Sequence, residues 1–447
     1  MAVSKSPPLR GRNQRGLGPE DPSGGGRSPR PDTRAAWGWC LYDWANSAFP
    51  TVVQTFVISA FFTQAVAETP ERGTAQWGWA MAAAGLAIAC VSPFLGAMAD
   101  RSGRRTRWVA AFTAGMCLAT GLLWFVRPEP GLAALCLVLV AVGTVCFEIA
   151  TVFYNALLPA LAAPGRIGRL SGWAWGLGYL GGLLCLVAVL FGLIKASPPP
   201  FGLDPADAEP VRASAVLVAG WIAVFSLPFL AWVKDPKGSG GSLAAAARDA
   251  LPNLVRAVKR WPPATRVGRF LLARMLYTDG LNTLFAFGGV YAAGTFGMPL
   301  ADVITFGIAL NVTAGIGAAV SGWLDDALGP KTVVLGAVAA IAAIGLALVL
   351  TESVTTFWVL GLLLGLFLGP AQAASRTFMA RIAPPGDVNA CFGLYALSGK
   401  VTAFLGPALL ATVTSATNSQ RAGMATILVF LAAGGLLLAT VPRPGKD

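Results

Sequence analysis

"GAMADRSGRR", residues 96–105, lies between two apolar runs, about 77–99 and 107–127, and carries an aspartate and three basic residues. Runs of that length cross roughly 30 Å of hydrocarbon as helices. The stretch between them therefore reads as a short polar loop joining two membrane spans. A related stretch, "GWLDDALGPK", occupies residues 322–331: Gly, Asp, Gly and a basic residue recur at relative positions 1, 5, 8 and 10, with an offset of 226. The chain is thereby predicted to consist of two related halves.

Working outward, the 447 residues are 55% hydrophobic and 12% charged, with a mean hydropathy of +0.65, too apolar for an ordinary soluble chain of this length. Polar breaks cut the sequence into twelve apolar stretches, about 37–66, 77–99, 107–127, 131–157, 171–195, 211–233, 267–294, 301–323, 331–351, 355–380, 391–416 and 422–442. The expected fold is an all-α membrane protein with twelve transmembrane helices in two six-helix pseudo-repeats. The expected organisation is a disordered basic tail (1–36), a first bundle (37–233), a linker (234–266), a second bundle (267–442) and a short tail (443–447). In the linker Leu251, Leu254, Val255 and Val258 share a face while Arg256, Lys259 and Arg260 fall elsewhere, which fits either a helix lying on the membrane surface or a solvated connection.

Charge sets the expected orientation. With the N-terminus inside, only Arg72, Arg127, Lys195, Arg212 and Arg421 fall on the outer side, and Arg274 and Lys400 lie within spans. The remaining Lys and Arg residues fall on the side of the termini, which predicts both termini in the cytoplasm. The net charge of +12 is then a topology signal and an attraction to anionic lipid, not a nucleic-acid footprint. No secretory signal pattern precedes the first span. The seven cysteines show no C-x-x-C pairing, and histidine is absent, so neither a metal site nor an imidazole proton shuttle is expected. No cofactor is expected either: "GLGYLG" (176–181) matches a dinucleotide pattern but lies inside an apolar span with no preceding strand. Its glycines, Gly172, Gly176, Gly178 and Gly182, like Gly361, Gly365 and Gly369, have the four-residue spacing that lets helices approach closely.

Polar residues inside the spans point to function, because a charge near the helix centre costs roughly 2.5–3.5 kcal/mol even on the lenient insertion scale. In the first span Asp43, Asn46, Pro50 and Gln54, with Ser47, Thr51 and Thr55 beside them, form one polar face for three turns. Asp43, roughly 9 Å inside the apolar run, suits either a structural pair or contact with a proton or a substrate amine. The fourth span has a similar stripe of Thr144, Glu148, Thr151 and Asn155, beside Tyr154. Glu148, nearer mid-span, is the first choice for proton coupling, against a permanently paired structural role. The seventh span supplies Arg274, Tyr277, Asp279 and Asn282, the tenth Gln372, Ser375 and Arg376, and the eleventh Lys400, for which an internal ion pair is favoured over a substrate carboxylate. Asp43-x-x-Asn46 is echoed by Asp279-x-x-Asn282 with an offset of 236. Under a second offset of 221, Pro164-Gly165 falls on Pro385-Gly386, and Thr151, Tyr154 and Asn155 fall on Gln372, Ser375 and Arg376. A parallel repeat of six spans is a transporter architecture with its site between the halves.

"GAMADRSGRR" looks like the major facilitator signature between the second and third helices. "YDWANSAF" (42–49), "FYNALLPAL" (153–161), "SGWAWGLGYLGG" (171–182) and "FGLYALSGKVTAFLGP" (392–407) resemble the vacuole effluxer-like, or Unknown Major Facilitator, family. The resemblance implies that helices 1, 4, 7 and 10 line a central cavity, which collects the candidates Asp43, Asn46, Gln54, Glu148, Tyr154, Asn155, Arg274, Asp279, Asn282, Gln372 and Arg376, with Lys400 beside them. It implies a gating role for Gly96, Asp100, Arg101, Gly103, Arg104 and Arg105, with Asp326 and Lys331 in the second copy. Eukaryotic members are associated with amino-acid efflux from the vacuole after autophagy. The expected function is therefore a secondary active permease of a small polar solute, amino acids first, working by alternating access in the bacterial inner membrane as a monomer, with proton coupling left open. The alternative is a membrane receptor or assembly partner that keeps this fold; an enzyme is not expected, since no nucleophile–base pair appears in the spans.

Overall fold

The structure, a computed structural model, describes residues 32–102, 104–163, 165–235, 259 and 261–443. The basic N-terminal tail and the proposed amphipathic stretch 251–258 lie outside the described residues.

Asp32 starts the first helix by accepting the Arg34 N–H with its side chain, so α1 (Thr33–Val66) begins four residues before the apolar run does. Asp43 thus lies ten residues along the helix, about 15 Å from its start at 1.5 Å per residue. Pro50 has no N–H to give, and the backbone from Phe49 to Phe56 takes up the wider i→i+5 pattern of a π-helix. Thr51 and Thr55 return their hydroxyls to the carbonyls of Ser47 and Pro50 there. Then follow α2 (Pro70–Ser102), α3 (Arg105–Phe125), α4 (Pro130–Leu161), α5 (Ile167–Ile194) and α6 (Glu209–Trp232). The second half contains α7 (Arg266–Phe296), α8 (Leu300–Leu328), α9 (Pro330–Leu350), α10 (Val354–Ile382), an interrupted α11 and α12 (Gln420–Ala439).

The interruption corrects the expectation of one continuous eleventh span. It is two pieces, α11a (Val388–Ser398) and α11b (Leu405–Thr417), joined by non-helical turns over 399–404 that contain Lys400. Ten helical passes among the described residues are long and apolar enough by themselves to cross a membrane; α7 and α11, which carry Arg274, Asp279 and Lys400, are the remaining two.

Packing repeats between the halves. α1 lies on α6 as α7 lies on α12, α2 on α4 as α8 on α10, and α3 on α4 and α6 as α9 on α10 and α12. Between halves α5 lies on α8, and α2 on α11a. Glycine makes these contacts possible. A Cβ on Gly172 would stand 2.6 Å from the Ala318 carbonyl oxygen, and one on Gly96 would stand 2.5 Å from that of Asn389. Gly361, Gly365 and Gly369 do the same for α10 against α8. The Gly172 and Gly96 contacts lie toward the face where Thr33 begins α1, here called the proximal face; the opposite face is distal.

Candidate functional site

Arg376, on α10 and 3% exposed, reaches across to three helices of the other half. Its Nη1 donates to Asp43 Oδ2 on α1 at 3.0 Å and to Asn155 Oδ1 on α4 at 3.3 Å. Its Nε donates to the Ser171 hydroxyl at 2.9 Å, and Nη2 to the Ser171 carbonyl at 2.7 Å, both on α5. Breaking a buried ion pair from one side costs about 3–5 kcal/mol, so a site with this many bonds strongly favours the arrangement that forms them. Aromatic rings complete the enclosure: the guanidinium carbon lies 4.8 Å from the centre of the Trp39 ring, 5.6 Å from Trp175 and 5.8 Å from Tyr154. Trp39 and Tyr154 stack at 4.4 Å and exchange hydrogen bonds, Trp39 Nε1 donating to the Tyr154 carbonyl and the Tyr154 hydroxyl to the Trp39 carbonyl. The two halves' polar stripes thus meet, Asp43 and Asn155 on one side and Arg376 on the other. Trp39, Ser171 and Trp175 were not singled out from the sequence; Ser171 and Trp175 lie in the quoted "SGWAWGLGYLGG", where an alternation of aromatic and small residues was their only signal.

Nearer the proximal face, Asp326 on α8 accepts from the backbone N–H groups of Gly168 at 2.8 Å and Arg169 at 3.3 Å, in the first turn of α5, and from Arg169 Nε at 2.7 Å. Arg381 stands 3.5 Å from Asp325 and 3.7 Å from Asp326. A carboxylate at the positive end of a neighbouring helix is what the signature loop needs for a latch. A gating role was expected of Asp100; its repeat counterpart Asp326 has this geometry. Asp100, Arg101 and Gly103 have side chains or backbone outside the described residues. Arg105 Nη1 donates to the Ala156 carbonyl within the first half, and Arg104 is exposed where α3 begins. Lys331, expected in the gate, instead donates to the carbonyls of Ala439 and Val441 and so caps the C-terminal end of α12 in its own half.

Deeper in the spans, Lys400 Nζ lies 2.7 Å from Glu148 Oε1. This is the internal pair favoured for Lys400. It joins α4 to the turns between α11a and α11b, so Glu148 is paired across the halves. Among the described residues, the ion pairs Arg169–Asp326, Arg376–Asp43 and Lys400–Glu148 therefore cross between the halves from the proximal face inward.

α7 serves the interruption. Arg274 Nη1 donates to the Tyr395 carbonyl at 2.6 Å and the Ser398 hydroxyl at 2.8 Å, and its guanidinium lies 3.5 Å from the Tyr395 ring centre, at the negative end of α11a. Asp279 Oδ2 accepts the Gly406 N–H at 3.1 Å, at the positive end of α11b. Opposite charges from one helix thus meet the opposite dipole ends of two half-helices. Arg274 and Asp279 were expected to face the cavity; the structure uses them at the joint of α11, because α7 packs against both α11a and α11b.

Gln54 donates to the Thr144 hydroxyl at 2.8 Å, tying α1 to α4, and the Tyr277 and Ser375 hydroxyls share a bond of 2.6 Å between α7 and α10. Asn46 is buried. Gln372 is half-buried on α10. On the distal side of these groups lies a cavity of about 740 Å³, lined by Thr51, Trp175, Tyr179, Asn282, Asn311 and Phe357 among others. Of the substrate and coupling candidates Asn282 lines it directly, together with Ser47, Pro50, Thr51 and Thr55 from the polar face of the first span.

Two six-helix halves with matching packing and a cavity between them, closed on one face by ion pairs, define a major facilitator-type transporter, an integral membrane protein and not an enzyme. The chain belongs to the Atg22-like vacuole effluxer family, whose pattern matches residues 79–444. It is 26% identical over 415 residues to the uncharacterized MFS-type transporter YxiO of Bacillus subtilis (strain 168), covering 91% of this chain and 94% of that protein. Autophagy-related protein 22-1 of Penicillium rubens is 24% identical over 307 residues, 62% of this chain and 50% of that protein; against this fungal relative the chain spans only about half the length. Among solved structures, the proton:xylose symporter XylE superposes with a TM-score of 0.72 at 12% identity, over 93% of this chain and 97% of that one. The human organic anion transporter MFSD10 gives 0.71 at 17% identity, over 91% and 99%. At these identities what is shared is the fold.

Proposed function

We propose that this protein is a proton-coupled, alternating-access carrier of amino acids. On this reading it works as a monomer, both termini are cytoplasmic, and the proximal face is the cytoplasmic one. The geometry described above is then the outward-facing state, with the inner gate shut. The observation that carries the reading is the Asp43–Arg376 pair, which links the two halves immediately beneath the cavity. A zwitterion needs one anionic and one cationic contact, and the paired charges Asp43, Arg376, Glu148 and Lys400 supply both signs. The cavity wall of Trp175, Tyr179 and Phe357, with amide groups from Asn282 and Asn311, suits an apolar or aromatic side chain. The resemblance to vacuolar amino-acid effluxers points the same way.

The test is thermal unfolding of the detergent-purified protein against amino acids, small peptides and sugars, followed by exchange of labelled solute in proteoliposomes. A ligand at 100 times its dissociation constant adds about 2.7 kcal/mol if it binds the folded state alone. Stabilisation by large apolar amino acids together with exchange supports the reading. Stabilisation by sugars alone would replace the substrate class, and binding without exchange would make the chain a receptor.

A further inference from the structure

Among the described residues, the charged side chains in the core have an opposite partner or accept or donate several polar contacts, with Asp279 as the exception. Asp43 has Arg376, Glu148 has Lys400, and Asp325 and Asp326 have Arg381, with Arg169 also on Asp326. Asp279 is 2% exposed and has no cation within salt-bridge distance among the described residues; one oxygen accepts the Gly406 N–H, and Oδ1 is without a hydrogen-bond partner. The repeat explains why. Asp43 and Asp279 are counterparts, as are Asn155 and Arg376 under the α4/α10 offset. The first half's aspartate therefore meets an arginine from α10, while the α4 position that would answer Asp279 is an asparagine, itself bound to Arg376.

Among the described residues, the charged groups and tyrosines on the helices packed against α7 are engaged with other partners or lie at the ends of their helices. From α12, Arg421 donates to the carbonyls of Val349 and Thr351. From α10, Arg376 and Arg381 hold aspartates. From α11, Lys400 holds Glu148, and Tyr395 lies under Arg274. From α8, Asp325 and Asp326 lie at the proximal end and Asp302 is exposed at the distal one. On α7 itself Arg274 is committed to α11a, Tyr277 to Ser375 and Tyr291 to the Leu348 carbonyl, while Arg269 donates to the Thr440 carbonyl and Arg266 is exposed.

We propose that Asp279 is the carboxylate that takes up and releases the coupling proton, and that the joint of α11 reads its state. The inference rests on the carrier reading above. Ionised, Asp279 holds the positive end of α11b through Gly406. A proton from water that bonds to Oδ1 cancels that charge, weakens the Gly406 contact and loosens the joint in which Lys400 sits; its release restores the cap. Asn282, one turn further along the same face of α7, lines the cavity and marks the route.

The test is infrared difference spectroscopy of the full-length protein in proteoliposomes between acidic and alkaline buffer, which reads the carbonyl stretch of a protonated carboxylic acid and needs no substrate. The wild type and Glu148→Gln should show a titrating band that Asp279→Asn lacks. A wild type without such a band, or a band kept in Asp279→Asn, overturns the inference, as does a band abolished by sodium at constant pH. If Asp279→Asn does not fold, Asp279→Glu must move the band; an unmoved band overturns it. Transport separates the two claims. Asp279→Asn should keep amino-acid exchange and lose accumulation driven by a pH gradient; if both survive, the inference fails and the carrier reading stands. If the wild type exchanges no amino acid, the carrier reading fails while the band still reports on Asp279.

Discussion

Replacing Arg376 by lysine would keep the charge and lose the fork. Lysine offers a point charge on a flexible stem, whereas the guanidinium meets the Ser171 hydroxyl and carbonyl with two nitrogens and Asp43 and Asn155 with a third. Hydrogen bonds to charged groups contribute about 1.5–3 kcal/mol each, so Arg376→Lys should lower the melting temperature measurably and favour opening of the proximal face. Cys40, 2% exposed and one turn before Asp43, is a native reporter: its labelling by a membrane-impermeant maleimide should rise in Arg376→Lys and stay low in the wild type. Unchanged labelling would remove Arg376 from the gate. Asp43, Asn155 and Arg376 were each legible in the sequence as costly polar residues inside spans. Their partnership was not, because Asp43 and Arg376 lie 333 positions apart. Helical spacing fixes what shares a face on one helix and is silent about which other helix stands opposite.

Glycine spacing made the close contacts legible, but not their address. Gly172 serves the contact between halves, whereas Gly178 and Gly182 face Asp43, Ser47 and Thr51 of α1 within the first half. Gly172→Val should therefore push α5 from α8 and destabilise the closed proximal face, with about 1–3 kcal/mol of overpacking. Gly220→Ala, on α6 with nothing within 4 Å of the added carbon, should instead stabilise by about 0.4–1 kcal/mol. Melting of the two variants side by side checks both, and equal effects would show that the contact of α5 with α8 is not tight. The interruption of α11 escaped the sequence for a different reason. Hydropathy averages over a window, and one lysine among apolar neighbours does not show that the helix stops. Its signal lay on another element, in Arg274 and Asp279 five residues apart on α7, which meet the two helix ends.

Across the whole molecule, duplication was readable from the two signature loops, and twelve passes from hydropathy. Which residues cross the midline was not. Glu148 and Lys400 make one crossing, on α4 and in the joint of α11. Glu148→Lys alone sets two ammonium groups against each other and should both destabilise the protein and slow exchange. Adding Lys400→Glu restores an opposite-charge pair with its sign reversed and should recover most of the stability, the signature of direct coupling in a double-mutant cycle. Additive losses would mean that the pair contributes little to holding the halves together. The joint has one more consequence. α11a lies against α2 and α4, whereas α11b lies against α12. Repeats of six passes each therefore make unequal bodies in motion: when the molecule rocks, the parting line can run through the middle of one helix, with residues 399–404 as a tether between a larger body that carries α11a and a smaller one that carries α11b.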